Sequence, residues 1–288
     1  MNNISLDLSG KISELFVEIL IEIERVAKTR NLPFVVIGAT SRDIILQLAH
    51  DIETARATVD IDIGVMVAGW DQFTELKEEL FESAKFKPSK HTQRLEYDDN
   101  FPVDIIPFGA ISDSDNSISW PPDGAIKINI TGFQECYQHS ISVKINSSPE
   151  LVVMVASLEG LAILKLISWD DNIERRIKDA ADIFLIMGKY LDAGNTDRLF
   201  EEGLDLVEDN GYDYEISSAR FLGRNIARIS TKATKTKLIE ILGREAKARQ
   251  GHRIAMDVLI SKSVPRLSYD QITQYFSSLL KGIVEWTG

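Results

Sequence analysis

The sequence predicts an α+β chain: a mixed sheet with flanking helices over residues 1–150, followed by a helical part over 151–288. In the first half, short apolar runs rich in β-branched residues alternate with amphipathic stretches, bounded by Gly, Pro, Asn and Asp. Beyond residue 150 the apolar spacing becomes helical and stays so. A length of 288 residues with 44% hydrophobic content suits one large domain or two modest ones.

The elements follow in order. Ile12, Leu15, Phe16, Ile19, Leu20, Ile23 and Val26 recur at helical spacing, so 10–30 is an amphipathic helix that Asn31 and Pro33 stop. Phe34, Val35, Val36 and Ile37 form a short buried strand. Gly38 turns the chain into a helix over 42–49. The stretch 59–67 alternates and is a strand, 71–81 is a helix, and strands are expected at 92–97 and 103–108 around an Asp98-Asp99-Asn100 turn. Residues 110–150 are loop-rich, with strands near 125–131 and 140–145. Helices are expected at 157–169, 173–190, 196–209, 215–229, 232–249 and 268–285.

Composition narrows the function. No apolar run reaches the roughly 18 residues a membrane span needs, because Ser157, Glu159 and Lys165 interrupt the longest candidate, 151–167. The start, with Asn2, Asn3 and Ser5, carries no signal-peptide pattern, and a single Cys136 excludes an intrachain disulfide. A cytoplasmic protein without a membrane partner is the expectation. The net charge of -12 argues against indiscriminate nucleic-acid binding. Yet 220–253 holds ten Lys/Arg against Glu240 and Glu245, a surplus of +8. Arg220, Arg224 and Arg228 share one helical face there and are a candidate RNA contact, although such stripes are usually solvated surface.

The chemistry centres on two segments. In the first, a buried strand leads into Gly38-Ala39-Thr40-Ser41-Arg42-Asp43. A turn of small residues lets phosphate oxygens approach backbone N–H groups, with the Thr40 and Ser41 hydroxyls and Arg42 as further contacts. In the second, Asp60 and Asp62 sit two apart on a strand, so both project to one side while Ile61 and Ile63 face the core. Paired hard carboxylates suit magnesium, and two such ions can activate a hydroxyl and stabilise a leaving pyrophosphate. Asp104 is a lone acid inside an apolar strand, costly to bury unless paired or metal-bound, and is the third ligand expected. Arg56, just before the carboxylate strand, is a further candidate for the triphosphate.

Strand, small-residue turn, Asp-x-Asp and a separate Asp together resemble the polymerase-beta-type nucleotidyltransferases. Within that superfamily the chain is most similar to the AbiEii-type toxins of type IV toxin–antitoxin systems, over roughly residues 34–186. The resemblance implies an NTP substrate, with Lys165 on the triphosphate and with Lys178 and Asp182, in the segment from Arg176, shaping the nucleotide pocket. It also implies a tRNA end or other RNA as acceptor and a cognate antitoxin as partner. Two departures stand out: the turn reads Gly38-Ala39 where the family has two glycines, and the gap from Gly38 to Asp60 is long.

Alternatives compete at each point. The chemistry could instead serve a small-molecule acceptor, as in antibiotic-modifying nucleotidyltransferases, or the fold could sense nucleotide or partner without turnover. Arg42-Asp43 with Asp60-Ile61-Asp62 also resembles tRNA CCA-adding enzymes, without their downstream templating signature. An Asp-x-Asp phosphatase would place a small hydroxyl residue where Gly64 stands. His50, His91, His139 and His252 lack the spacing of zinc ligands.

Overall fold

The computed structural model describes residues 5–54, 58–98, 100–171, 177–247, 252–261 and 267–287. The chain forms two compact units, Met1–Ser157 and Leu158–Gly288. The first unit holds, in chain order, β1 (Leu6–Asp7), α1 (Glu14–Thr29), β2 (Phe34–Ile37), α2 (Gly38–Asp43), β3 (Ile61–Val67), α3 (Trp70–Glu82), β4 (Phe86–Pro88), β5 (Arg94–Tyr97), β6 (Phe101–Gly109), β7 (Ser117–Ser119), β8 (Lys127–Asn129), α4 (Phe133–Gln138), β9 (Ile141–Ser147) and β10 (Glu150–Val155).

Eight strands make one mixed sheet in the order β1-β9-β10-β2-β3-β6-β5-β4, and β7 pairs with β8 separately. The fold is α+β, as the sequence predicts. Strand β3 lies inside the sheet, antiparallel to β2 and parallel to β6. Its alternation is that of a half-buried strand: Ile61, Ile63, Val65 and Val67 are buried, while Asp62 and Met66 are not. Helix α1 begins at Glu14, later than periodicity suggests, because Ser13 caps it by accepting the Phe16 N–H. It buries Ile19, Leu20, Ile23 and Val26, each worth about 1.5–3 kcal/mol.

Three local expectations change. The helix after Gly38 starts at once and runs on as a π-helical turn over Ile44–Ala49, rather than opening at Arg42. The apolar run near 151 opens with a strand, β10, which joins the first unit, so the boundary falls after Ser157. Periodicity cannot separate a short buried strand from a buried helix turn, so this strand is not distinguishable from the sequence alone. Strand β7 and helix α4 were not anticipated within the loop-rich stretch.

The second unit is helical: α5 (Leu158–Asp171), α6 (Ile177–Lys189), a π-helical turn at Leu191–Asn195, α7 (Thr196–Glu202), α8 (Leu204–Asp209), α9 (Tyr214–Ile229), α10 (Lys232–Lys247), α11 (Arg253–Ser261) and α12 (Tyr269–Glu285). Helix α5 is apolar nearly all round and lies at its centre, packed by α6, α9 and α10. Gly203 divides the single helix expected over 196–209, and α11 was not anticipated. No described helix is long and apolar enough to cross a membrane.

Candidate active site

Sheet register places the carboxylates. Ile37 of β2 pairs with Asp62 of β3, Asp62 with Asp104 of β6, and Asp104 with Arg94 of β5. Cross-strand neighbours project from the same face, so this one row sets Asp62, Asp104 and Arg94 side by side. Asp60, two residues before Asp62, joins them. Each of the three aspartates offers an oxygen, and these oxygens lie within 4.8 Å of one another. The pairing is a tertiary fact, since β3 and β6 are far apart in sequence.

The turn before the site is shaped by Gly38. Its φ is +68°, the left-handed region that favours glycine, and a Cβ added there would stand 1.9 Å from Asp62 Oδ2. The neighbouring hydroxyls do something other than the sequence suggested. Thr40 Oγ1 donates to the Asp60 carbonyl at 2.9 Å, fixing the strand entry, and Ser41 Oγ donates to the Ala156 carbonyl at 2.8 Å. A hydroxyl has one proton to give, and both are buried, so here they brace the turn. Arg42 is engaged internally as well. It is buried, and its Nε and Nη2 donate to Asp43 Oδ1 at 2.9 and 2.7 Å. Asp43 in turn accepts from Thr58 Oγ1. Ala39 is half-buried in the first turn of α2.

Arg94 is the site residue that sequence reasoning missed. Its Nε donates to Asp104 Oδ1 at 2.7 Å and its Nη2 to Asp104 Oδ2 at 2.8 Å. The same Nη2 lies 3.8 Å from Asp60 Oδ2. Hydrogen bonding to Asp104, opposed by partial burial and aided by the charges of Asp104, Asp60 and Asp62, raises its pKa above the ordinary arginine value. The signal was present: alternation in 94–97 turns Arg94 and Glu96 away from the face that buries Leu95 and Tyr97.

Within the second unit, Lys165 is almost wholly buried, and its ammonium donates to Asp179 Oδ1 at 2.8 Å and Asp182 Oδ2 at 2.7 Å. Lys165 and Asp182, read from sequence as separate nucleotide contacts, are thus partners in one buried ion cluster, and Lys178 is exposed on α6. The three arginines proposed for RNA are also engaged. Arg220 is buried and bonds Glu285 and Asp209, Arg224 bonds Glu285 and Asp205, and Arg228 pairs with Glu202 at 2.8 Å beneath the Trp286 ring. Lys237 and Arg244 pair with Asp170. Five of the ten basic residues of the run are thus paired with acids that sequence distance had hidden. Arg56 and Arg176 lie outside the described residues. Burial pushes the Cys136 thiol up to about 12.

A mixed sheet that gathers three carboxylates beside a glycine turn is the arrangement of a nucleotidyltransferase. Residues 23–240 match the family described as nucleotidyl transferase AbiEii toxin, type IV TA system. The chain belongs to that family. Among solved structures it is distantly similar to the antibiotic-resistance factor ANT(2″)-Ia, at 15% identity and TM-score 0.35 over 70% of this chain and 99% of that one. It is also similar to a CCA-adding enzyme with ATP, at 14% identity and TM-score 0.34 over 95% and 82%. A third is the Thermotoga maritima CCA-adding enzyme complexed with tRNA, at 12% and 0.33 over 96% and 83%. No curated protein matches by sequence.

Proposed function

We propose that this nucleotidyltransferase moves a nucleoside monophosphate from an NTP to an acceptor hydroxyl in a magnesium-dependent reaction centred on Asp60, Asp62 and Asp104. The observation that carries it is the convergence of the three carboxylates from two strands and a strand entry. Their oxygens are hard donors. Their mutual spacing is close to the span of about 4–5 Å at which ligands face one another across a divalent cation. Gly38 keeps that space clear on the turn side.

When bound, two magnesium ions would neutralise the triphosphate and activate the acceptor. Asp60 and Asp62 would hold them. Asp104, fixed by Arg94, would complete the site and accept the acceptor proton as general base. The Gly38–Ala39 backbone gives the phosphates close approach, and pyrophosphate leaves.

An RNA end, such as that of tRNA, is the acceptor that the family's toxin character supports, with a cognate antitoxin opposing it in the cytoplasm. A small-molecule acceptor is the second reading, supported by the internal pairing of Arg220, Arg224, Lys237 and Arg244. Incubation with labelled NTPs, magnesium and total RNA or a small-hydroxyl panel, alongside Asp60→Ala, tests both. Label on RNA that the variant loses supports the first reading, and label on a small acceptor alone supports the second. NTP binding with no transfer anywhere overturns catalysis in favour of a nucleotide sensor.

A further inference from the structure

Arg94 sits where a cation would be wanted. Three carboxylates with oxygens inside 4.8 Å repel one another, and such clusters spread or protonate unless positive charge is supplied. Arg94 supplies it permanently, since a guanidinium does not deprotonate in proteins. Its two parallel hydrogen bonds to Asp104 are the forked geometry that fixes a carboxylate plane, and its Nη2 leans toward Asp60 as well. A carboxylate presents about four lone-pair sites, and Arg94 uses two, so the grip does not exhaust Asp104 as a ligand.

We propose that Arg94 is the positioning residue and resident counter-cation of the triad, holding Asp104 in its working orientation while competing with divalent ions for Asp60 and Asp104. The inference rests on the metal-site reading above. Its consequence is that the apoprotein binds a lone divalent ion weakly, so a nucleotide's own phosphate charge is needed to bring the ion in fully. Arg94 takes no part as acid or base.

Titration of the full chain with Mn2+, followed by electron paramagnetic resonance, tests this without turnover. Asp62→Asn marks the signal that belongs to the site. Arg94→Met is expected to bind Mn2+ about tenfold more tightly than the unmodified chain. That is the scale of one charge about 4 Å away after solvent screening. Its kcat for transfer is expected to fall while the KM for NTP holds. Arg94→Lys keeps the charge but not the fork, so it restores weak Mn2+ binding without restoring kcat. Should Arg94→Met fail to fold, Arg94→Gln, which retains a donor but no charge, is expected to show the same tightening. Mn2+ affinity unchanged or weakened in both neutral variants overturns the counter-cation role while leaving the metal site intact. No Asp62-dependent Mn2+ signal, even in the unmodified chain with NTP, overturns the metal-site reading and this one with it.

Discussion

Gly38 lies directly against Asp62: a single added Cβ would stand 1.9 Å from the carboxylate oxygen Oδ2. The turn is therefore shaped by the carboxylate as much as by the backbone. Two constraints coincide there, a φ of +68° and the absence of room.

Gly38→Ala is expected to abolish NMP transfer while leaving the protein folded. The left-handed conformation costs a non-glycine residue about 1–2 kcal/mol, which a domain tolerates, but the clash must push Asp62 aside. Transfer kinetics beside a thermal melt check this. Wild-type transfer in the variant would show that Asp62 does not need its present position.

The three aspartates are expected to differ in what they break. Asp62→Asn should lower both Mn2+ binding and kcat, the latter by about a hundredfold or more, since even outer-shell changes at metal sites cost about 10–100-fold. Asp104→Asn should lower kcat similarly but leave NTP affinity within about threefold, because Asp104 is assigned to the acceptor side. Chelation should remove activity and magnesium restore it. Single-turnover assays with equilibrium NTP binding separate these outcomes.

Lys165→Met is expected to destabilise the second unit by about 3–5 kcal/mol, the usual cost of removing one member of a buried ion cluster. Asp179 and Asp182, both buried, would lose their shared ammonium. A urea titration reads this as a lower midpoint with an unchanged slope. A change under about 1 kcal/mol would mean the cluster contributes little to the fold.

Helices α9 and α12 meet through two glycines. A Cβ on Gly282 would fall 2.0 Å from the Arg220 carbonyl oxygen, and one on Gly223 would fall 2.3 Å from that of Leu279. Alanine in a helix normally gains about 0.5–1 kcal/mol over glycine. Here the clash with rigid backbone should win, and Gly282→Ala should cost about 1–3 kcal/mol net, the range for overpacking. Stabilisation in a thermal melt would contradict the close contact.

Cys136 is wholly buried, with its thiol pushed up to about 12 by burial. Native protein at about pH 8 should therefore resist alkylation by iodoacetamide and label only on unfolding, as mass spectrometry would report. Rapid labelling of the native chain would show that the sheet around α4 opens.

Particular residues show how far the sequence could be read. Asp60 and Asp62 were legible because a strand's two-residue repeat is local, and Asp104 because an isolated acid in an apolar strand needs a reason. Arg94 went unrecognised because its meaning depends on which strand lies beside β6. The hydrogen bonds of the Thr40 and Ser41 hydroxyls were not legible for a similar reason. Their acceptors, the carbonyls of Asp60 and Ala156, come from distant segments. Arg220 and Arg224 read as a basic face until α12 brought Glu285 against them.

Local spacing determined the α+β class, the Asp-x-Asp pair and the small-residue turn, while the family came from the resemblance those residues carry. Each rests on periodicities of two or 3.6 residues, or on residue type at fixed offset. Only the folded chain decided which charges meet: that Asp104 stands level with Asp62, that Arg94 grips it, and that half of the basic run is paired with acids. Hydrogen-bonded ion pairs form only within about 3–4 Å, and tertiary packing, not sequence distance, sets those few ångströms.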